Sequence, residues 1–452
     1  MTADVFLIDD LTPEDCAMLQ ALYSRDGSSA RVHLQKVRDA GSRKFMKTHY
    51  VGYNHKSIGD CGTTTLFFEG VSMLAAKAIQ DWPLYSGQET STRYLNMADR
   101  PLVDPIGSEA SRAIMARWMD FYRAAQEPVA AWVRERHPRR EGEDDKVYER
   151  AVRARTFDIT RGFLPAGVST QLSWHTSLRQ ANDHLTWLAR HPLDEVVSCT
   201  AAAMKELDLL YPSSFGHGLR QEQVEYLQLV MGREAYYRVE ALRGHRPRQA
   251  PNDAGFFGDY RSSTVWLTNR VDRVGVAQYE DLFRKRPPRT ELPHFLADLG
   301  QVTFEFALDF GSFRDLQRHR NGVCRMPLLT TEIGFHEWYV EQLPPDVRRT
   351  ARDLIEAQSE AIRVLPTSDE VRQYYVAMGY RVPCKVTYGL PATVYVLELR
   401  TPKVVHPTMR QAAIKMAEAF QMEFPLVKLH VDDDPDDWDV RRGKQTIEKR
   451  KE

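Results

Sequence analysis

Two stretches of this chain share one sequence pattern, and this similarity constrains the fold more than any other feature. Residues 302–317 align with residues 65–80 without a gap, so that Phe304 stands opposite Phe67. Each copy predicts a β-strand, 65–68 in the first copy, that leads into an amphipathic helix. Because the two copies keep a constant offset along the chain, they indicate duplication of a whole domain.

Composition predicts where the domains begin and end. The segment 243–255 is rich in Arg, Pro and Gly, which is typical of a linker. We therefore predict a first domain at 1–245, a linker at 246–255 and a second domain at 256–431. The remaining residues, 432–452, are an acidic run followed by a basic end, and they predict a disordered tail.

Charge and cysteine usage argue against several protein classes. With 61 Lys and Arg against 62 Asp and Glu, the net charge of −1 does not indicate nucleic-acid or membrane-surface binding. No apolar run is long enough to span a bilayer, and the first residues do not resemble a secretory signal. The five cysteines are widely spaced, without a Cys-x-x-Cys pair. This spacing favours reduced thiols in the cytoplasm over disulfides or a metal site.

Polar side chains alternate along residues 80–94, directly after the first copy. If this stretch is one extended strand, Glu89, Ser91 and Arg93 lie on the same face. A carboxylate, a hydroxyl and a guanidinium together can bind an anionic ligand with hydrogen-bonding edges, such as a nucleotide. The alternative is an exposed strand whose polar residues are only solvated.

A basic tripeptide, Arg318-His319-Arg320, follows the second copy. In a strand, its two guanidiniums would point the same way and could bind a diphosphate. The alternative is a surface network in which Asp309 and Asp315 pair with the two arginines.

Taken together, these residues resemble the signature of the flavin-dependent thymidylate synthases. That signature reads Arg-His-Arg, two variable residues, Ser, one variable residue, Asn-Glu, one variable residue, Ser, one variable residue, Arg-Tyr. Its second part is matched by Ser86, Glu89, Ser91, Arg93 and Tyr94, with Gln88 in place of Asn. Its first part is matched only by residues 318–320, because residues 81–83 are Asp-Trp-Pro. Each copy keeps the half of the signature that the other lacks.

A loop near the N-terminus is similar to a flavin-contacting element of the same family. The element has His, one variable residue, Thr or Ser, two variable residues and Glu. His55, Ser57 and Asp60 match this spacing, with Asp in place of Glu. The resemblance implies that these three residues contact the flavin.

Several arginines extend the resemblance. Arg161, with two residues between it and a Leu-Pro pair, is similar to the Arg that contacts the nucleotide. Arg179 is similar to an Arg at the flavin. Arg381 and Arg400 have nearly the same spacing in the second copy. The family has a further Arg that draws off the pyrimidine N3 proton. At the family's spacing after Arg179 and Arg400, this chain has Leu188 and Met409. Arg190 and Arg410 lie close to these two positions.

The resemblance implies a mixed α/β (α+β) fold present in two tandem copies. It implies transfer of a methylene group from methylenetetrahydrofolate to C5 of dUMP, reduced with hydride from FAD, which NADPH recharges; a modified uridine nucleotide is an alternative substrate. Since the family forms homotetramers, it also implies a homodimer of this chain that acts as a pseudo-tetramer.

The implied roles fall into three groups. The nucleotide would contact Gln80, Ser86, Gln88, Glu89, Ser91, Arg93, Arg161 and Arg381. The flavin would contact His55, Ser57, Asp60, Arg179, Arg318, His319, Arg320 and Arg400. The catalytic candidates are Arg190 and Arg410.

Two other functions stay open from the sequence. One is a catalytically silent nucleotide-binding or regulatory protein, which the division of the signature between the copies favours. The other is an RNA-binding protein, which would need a basic face that the near-zero net charge does not indicate.

Overall fold

The structure is a computed structural model that describes residues 4–234 and 264–434. The predicted linker at 246–255 lies outside the described residues, as does the predicted tail from 435 onwards. The described residues form a mixed fold of helices and sheets, as predicted. None of the helices in these two ranges is long and apolar enough to cross a bilayer.

The N-terminal range, residues 4–234, contains helices and three strands. Its elements in chain order are α1 (Pro13–Tyr23), α2 (Ala30–Ala40), α3 (Arg43–Phe45), a π-helix (Met46–Gly52), a 3-10 helix (Lys56–Cys61), β1 (Thr63–Ser72), α4 (Met73–Gln80), β2 (Ser86–Glu89), α5 (Glu109–Arg136), α6 (Asp145–Thr160), a 3-10 turn (Arg161–Phe163), β3 (Ser169–Ser177), α7 (Leu178–Leu188), α8 (Asp194–Leu210) and α9 (Gln221–Glu234).

The C-terminal range repeats part of this order. Its elements are β4 (Trp266–Val271), α10 (Arg273–Gln278), α11 (Glu280–Lys285), a 3-10 helix (His294–Leu299), β5 (Gly300–Asp309), α12 (Phe310–Leu316), β6 (Gly322–Arg325), α13 (Glu337–Glu341), α14 (Pro345–Arg363), α15 (Asp369–Arg372), a 3-10 turn (Gln373–Tyr375), β7 (Arg381–Gly389), α16 (Leu390–Arg400) and α17 (Pro407–Glu423).

The described residues divide into two compact units. The first unit is drawn from residues 4–71, 75–89 and 171–234. The second unit is drawn from 72–74, 90–170 and 264–434. The second unit therefore contains α5 and α6 together with the C-terminal range. The domain limits predicted from the sequence stay a prediction.

The strand order recurs in the two sheets. The sheet of the first unit has the order β1-β3-β2, and that of the second unit has the order β4-β5-β7-β6. If β4 is left out, the two sheets have the same strand order. In this comparison β5 corresponds to β1, β7 corresponds to β3, and β6 corresponds to β2. The lengths also agree, because β1 and β5 each have 10 residues and α7 and α16 each have 11.

The repeated strand and helix occur as predicted, but the strand is longer. In the C-terminal copy the strand runs to Asp309, whose side chain accepts a hydrogen bond from the main-chain nitrogen of Ser312. An aspartate in this position caps a helix, because it satisfies a main-chain donor of the first turn. The cap therefore sets the start of α12 at Phe310.

Neither of the two stretches considered above as extended strands forms a strand over its whole length. Residues 80–94 do not form one strand, because β2 pairs with β3 only from Ser86 to Glu89, after which the chain leaves the sheet and turns. Glu89, Ser91 and Arg93 therefore do not share a strand face. Likewise, residues 318–320 lie in the turn between α12 and β6. An alternating polar pattern forms a strand only where a neighbouring strand pairs with it.

The structure also corrects the alignment of the two copies around the arginines. Arg161 begins the 3-10 turn that precedes β3, and the corresponding turn before β7 begins with Gln373. Arg381 instead begins β7 itself. Arg400 is the last residue of α16, as Leu188 is the last residue of α7. In this order of elements, Arg400 therefore stands opposite Leu188 rather than Arg179.

Gly87 tests the pairing of β2 with β3. A Cβ atom at this position would overlap the main-chain oxygen of Ser173 on β3. We expect Gly87→Ala to lower the free energy of unfolding by about 1–3 kcal/mol, measured by urea denaturation, because the strand must shift. Gly27→Ala is the control, since its Cβ would meet nothing within 4 Å. Equal stability of the two variants would contradict the close pairing.

Candidate functional site

Arg93 is held in a fixed orientation within the second unit. Its Nε donates to Oδ1 of Asp158 at 2.8 Å, and its Nη2 donates to the main-chain oxygen of Val404 at 3.0 Å. Asp158 is fully buried on α6. A planar guanidinium that makes two hydrogen bonds in different directions has little freedom to rotate. Ser91 contributes to the same turn, because its Oγ accepts from the main-chain nitrogen of Arg93 at 3.3 Å.

Arg161 lies deeper in the same unit, at the end of α6. The residue is 2% exposed. Its Nη1 lies 3.9 Å from Oδ2 of Asp315, and its Nη2 donates to Oγ of Ser312 at 3.4 Å. Burial works against the charged form, but Tyr339, Asp315 and Asp309 raise the pKa of Arg161 above its ordinary value. Arg161 is therefore a permanently charged group inside the protein.

Asp315, on α12, is the carboxylate that the arginines share. Its Oδ1 lies 3.9 Å from Nε of Arg318, and its main-chain oxygen accepts from Nη2 of Arg400 at 2.6 Å. Burial raises the pKa of Asp315, but Arg161 and Arg318 outweigh burial and lower it to about 2. We call Arg93, Asp158, Arg161, Asp315, Arg318 and Arg400 the Asp315 cluster.

The Asp315 cluster has more guanidiniums than carboxylates. Its four arginines face Asp158 and Asp315, and Asp309 adds one further carboxyl group near Arg161. The side chain of Arg318 is 47% exposed, so part of this charge is open to a ligand. An excess of positive charge in a partly buried site favours an anion such as a phosphate.

His319 supports Arg400 rather than carrying a charge of its own. Nε of Arg400 lies 2.8 Å from Nε2 of His319, which must therefore accept the hydrogen bond. Burial and the nearby Arg400 lower the pKa of His319 to about 3, so the ring is neutral at physiological pH. The remaining ring proton is on Nδ1. The imidazole thus fixes the guanidinium without opposing its charge.

A cavity of about 510 Å³ opens beside these residues in the second unit. This volume is ordinary for a small-molecule site. Its polar lining includes Arg318, His319, Arg320 and Arg400, and its aromatic lining includes Tyr388 and Tyr395. Guanidiniums next to aromatic rings suit a flat ring system that carries anionic groups. The residues present therefore fit a flavin nucleotide.

Two features of the site were missed by sequence reasoning. Gln317 is 5% exposed, and its Nε2 has no hydrogen-bond partner within residues 4–234 and 264–434. It directly precedes Arg318, and its alignment with Gln80 is a signal that could have identified it.

The second missed feature is a chain of hydroxyl groups behind Arg161. Ser312 Oγ lies 2.7 Å from Thr408 Oγ1, which lies 2.9 Å from Nδ1 of His406. Nε2 of His406 lies 3.1 Å from the main-chain oxygen of Asp158. These contacts connect α6, α12 and the start of α17. No sequence signal could have revealed them, because the residues are distant along the chain.

The other residues predicted to contact the flavin lie in the first unit, where two of them, Asp60 and Arg179, form an ion pair. Nη1 of Arg179 donates to Asp60 at 2.7 Å, and Oγ of Ser177 donates to the same carboxylate at 3.2 Å. His55 and Ser57 are exposed. Asp60 and Arg179 therefore neutralise each other.

The predicted nucleotide residues of the first unit lie on and near β2. Nε2 of Gln80 donates to Oε2 of Glu89 at 2.7 Å. Ser86 and Gln88 are exposed on β2. The structure therefore brings Gln80 and Glu89 together, and their predicted role stays a prediction.

Four further arginines predicted from the sequence donate to main-chain oxygens. Arg410 is buried, and it donates through Nε to Thr401 at 2.6 Å and through Nη2 to Asp434 at 2.7 Å. Arg190 donates to Ala189 at 3.1 Å, and Arg381 donates to Ile333 at 3.1 Å; Arg320 donates likewise, to Arg318 at 3.2 Å. The catalytic role of Arg190 and Arg410 stays a prediction.

Comparison with known proteins shows that part of this chain is similar to one family. The model of a family described as thymidylate synthase complementing protein matches residues 7–213. The chain is 25% identical to a UPF0159 protein of Chlamydia muridarum over 447 residues, covering 90% of this chain and 82% of the relative. It is also 25% identical to a UPF0159 protein of Chlamydia pneumoniae, covering 95% and 91%. A relative from Thermoplasma acidophilum, UPF0159 protein Ta1429, is 24% identical, covering 85% and 87%.

The pH dependence of stability tests the Asp315 cluster. Because the folded pKa of Asp315 is depressed from 3.8 to about 2, its stabilisation is complete above about pH 4 and is lost as the pH falls towards 2. We expect Asp315→Asn to be less stable than the native protein by about 2 kcal/mol at pH 6, with the difference shrinking between pH 4 and pH 2. Urea unfolding, followed by tryptophan fluorescence, measures the stability difference at pH 6 and its decrease at lower pH.

The matched control is Asp120→Asn on α5, whose carboxylate is mostly exposed and pairs with Arg123. This variant should stay within about 0.5 kcal/mol of the native protein at every pH. A stability loss in Asp315→Asn that does not change between pH 6 and pH 2 would contradict an ionised Asp315.

Proposed function

We propose that the protein is a flavin-dependent enzyme acting on a pyrimidine nucleotide, because the model of the thymidylate synthase complementing protein family matches residues 7–213. The reaction is methylation of dUMP at C5, with methylenetetrahydrofolate as carbon donor and NADPH as reductant. The observation that carries this proposal is the Asp315 cluster. Arg161 and Arg318 lie 3.9 Å from the Asp315 carboxylate, and the charges of Arg93 and Arg400 also act on it.

The cluster unites the two halves of the divided signature. Arg93 belongs to the part kept after the first copy, and Arg318 belongs to the part kept after the second. Both lie in the second unit. A signature divided between two places in the sequence can serve one site if its parts converge in space. The recurring strand order supports a tandem duplication as the origin of this division.

The second-unit cavity is the proposed FAD site. Arg318 and Arg320 would bind anionic groups of the cofactor, while Tyr388 and Tyr395 line the apolar part. His319 holds Arg400 in place at 2.8 Å. When bound, FAD supplies the hydride that the reaction needs.

The chain's own residues bind and polarise the nucleotide. We assign its phosphate to Arg93 and Arg161, whose guanidiniums are already oriented by Asp158 and Ser312. We assign the pyrimidine edge to Gln317, whose buried amide nitrogen lacks a hydrogen-bond partner among the described residues. Arg400 is the group that would stabilise negative charge developing on the ring. Donors fixed before the ligand arrives do not need to reorganise during the reaction.

A second candidate is nucleotide binding without catalysis. The hydrogen bonds that Arg410 makes to main-chain oxygens favour it, because its guanidinium is occupied in holding residues 432–434. The two candidates differ in one measurement. The enzyme forms dTMP from dUMP when methylenetetrahydrofolate and NADPH are present, whereas the silent protein binds dUMP and FAD without turnover.

Flavin titration of two variants tests the proposed site. We expect the native protein to bind FAD and its absorbance spectrum to change when dUMP is added. Arg318→Ala should weaken FAD binding about tenfold to a hundredfold, because a charge-assisted hydrogen bond is lost. Arg93→Lys should leave FAD binding unchanged and weaken the response to dUMP, since lysine lacks the planar fork.

The control for both variants is Arg352→Ala on α14, whose guanidinium is half exposed and pairs with Glu337. It should bind FAD and dUMP as the native protein does. Failure of the native protein to bind FAD at any concentration would refute the enzyme proposal. Unchanged FAD affinity in Arg318→Ala would refute the assigned site.

We also propose that the chain forms a homodimer, in which four copies of the domain are present as in the family's tetramers. Sedimentation equilibrium should give twice the chain mass of 52.1 kDa at micromolar concentration. A mass of one chain across that range would contradict the pseudo-tetramer. Cytoplasmic localisation stays a prediction from the sequence.

A further inference from the structure

The first unit contains a cavity to which the proposed function assigns no ligand. Its volume is about 790 Å³, which is ordinary for a site that encloses a small molecule. Its walls come from α7 and from residues 216–227, together with Val51, Asn54 and Lys56. The aromatic residues on these walls are Trp82, Trp187, His217 and Tyr226.

Corresponding elements form this cavity and the FAD cavity of the second unit. Trp82 lies two residues after Gln80 in the turn that follows α4, and His319 lies two residues after Gln317 in the turn that follows α12. Asp183 is the sixth residue of α7, and Tyr395 is the sixth residue of α16. The two cavities therefore have a common framework, and the first is large enough for a ring system of similar size.

The cationic groups of that framework are missing from the first unit. Asp81 stands in the place of Arg318, and Leu188 stands in the place of Arg400. Leu188 is buried. Two guanidiniums have thus been replaced by a carboxylate and an apolar side chain.

The charges that do line the first cavity balance each other. Nζ of Lys56 lies 3.3 Å from Oδ1 of Asp183. The other two charged residues that line the cavity are Arg220 and Glu222. Two cations and two carboxylates leave no excess positive charge. A diphosphate would have to be desolvated there without a compensating cation, which is unfavourable.

Trp82 is fixed as a stacking surface in this cavity. Its Nε1 donates to Oε1 of Gln180 at 2.8 Å, and its ring stacks on His184 with 4.5 Å between centroids. Burial lowers the pKa of His184 to about 4, so the stacked imidazole is neutral at physiological pH. The indole is held before any ligand arrives, which reduces the entropy lost on binding.

We propose that the first-unit cavity is a second ligand site, and that it binds a flat, uncharged heteroaromatic ring without phosphate groups, packed against Trp82. Asn182, Thr186 and Gln223 line the same cavity and offer hydrogen bonds to polar edges of such a ring. This proposal rests on the proposed function only in the choice of probe. Riboflavin is suitable, because it has the flavin ring and no phosphate.

Equilibrium dialysis of the full-length protein with riboflavin tests the site, with and without saturating FAD. With FAD saturating the second-unit cavity, one riboflavin should bind per chain. Trp82→Ala should weaken this binding at least about tenfold, and Trp82→Phe should retain most of it, because stacking on an aromatic ring is preserved. Trp187→Ala is a second test of the same cavity if Trp82→Ala does not fold. Trp132→Ala, on α5 and outside both cavities, is the matched control.

The outcomes separate this proposal from the proposed function. Arg318→Ala should lose FAD affinity and keep riboflavin affinity. If FAD binds but riboflavin does not, or riboflavin binding is insensitive to Trp82→Ala, the second site is refuted and the proposed function stands. If riboflavin binds in a Trp82-dependent way but FAD does not, the proposed function fails and the second site stands. If neither binds, both are refuted.

Discussion

The partly buried carboxylate of Asp315 makes the interactions on which the candidate site depends. Arg161 and Arg318 each lie 3.9 Å from one of its oxygens, and Arg400 donates to its main-chain oxygen. Guanidiniums in a partly buried region repel one another strongly unless an anion lies between them. Asp315 therefore allows arginines from distant parts of the sequence to occupy one site. The same arrangement leaves an excess of positive charge for a ligand.

The two units show how one framework can support different chemistry. Strand order and helix lengths recur, so the backbone offers a cavity at the corresponding place in each unit. The side chains on that framework differ in kind, with His319 between two arginines in one unit and Trp82 between Asp81 and Pro83 in the other. Function therefore follows from the lining residues, while the fold follows from the repeated strands and helices.

Motif spacing identified several residues of the site but not their arrangement. Arg93, Arg161, Arg318 and Arg400 were all candidates from the sequence, because each has a counterpart in the family's pattern. Arg400 was nevertheless compared with the wrong position, since spacing between arginines alone cannot locate the end of a helix. The polar alternation of residues 80–94 predicted a strand that exists only over Ser86–Glu89. That limit depends on where β3 offers a partner.

The sequence by itself determined the mixed fold, the repeated strand and helix, and the division of the signature into two complementary parts. These follow from local periodicity and from residue identity, which a sequence contains directly. Only the tertiary structure decided which residues share a site. The ion pairs of Arg93 with Asp158 and of Arg161 with Asp315, and the hydroxyl chain from Ser312 to His406, join segments far apart along the chain. Such contacts arise from the packing of whole elements, because side chains that neither periodicity nor spacing relates become neighbours only in the folded core.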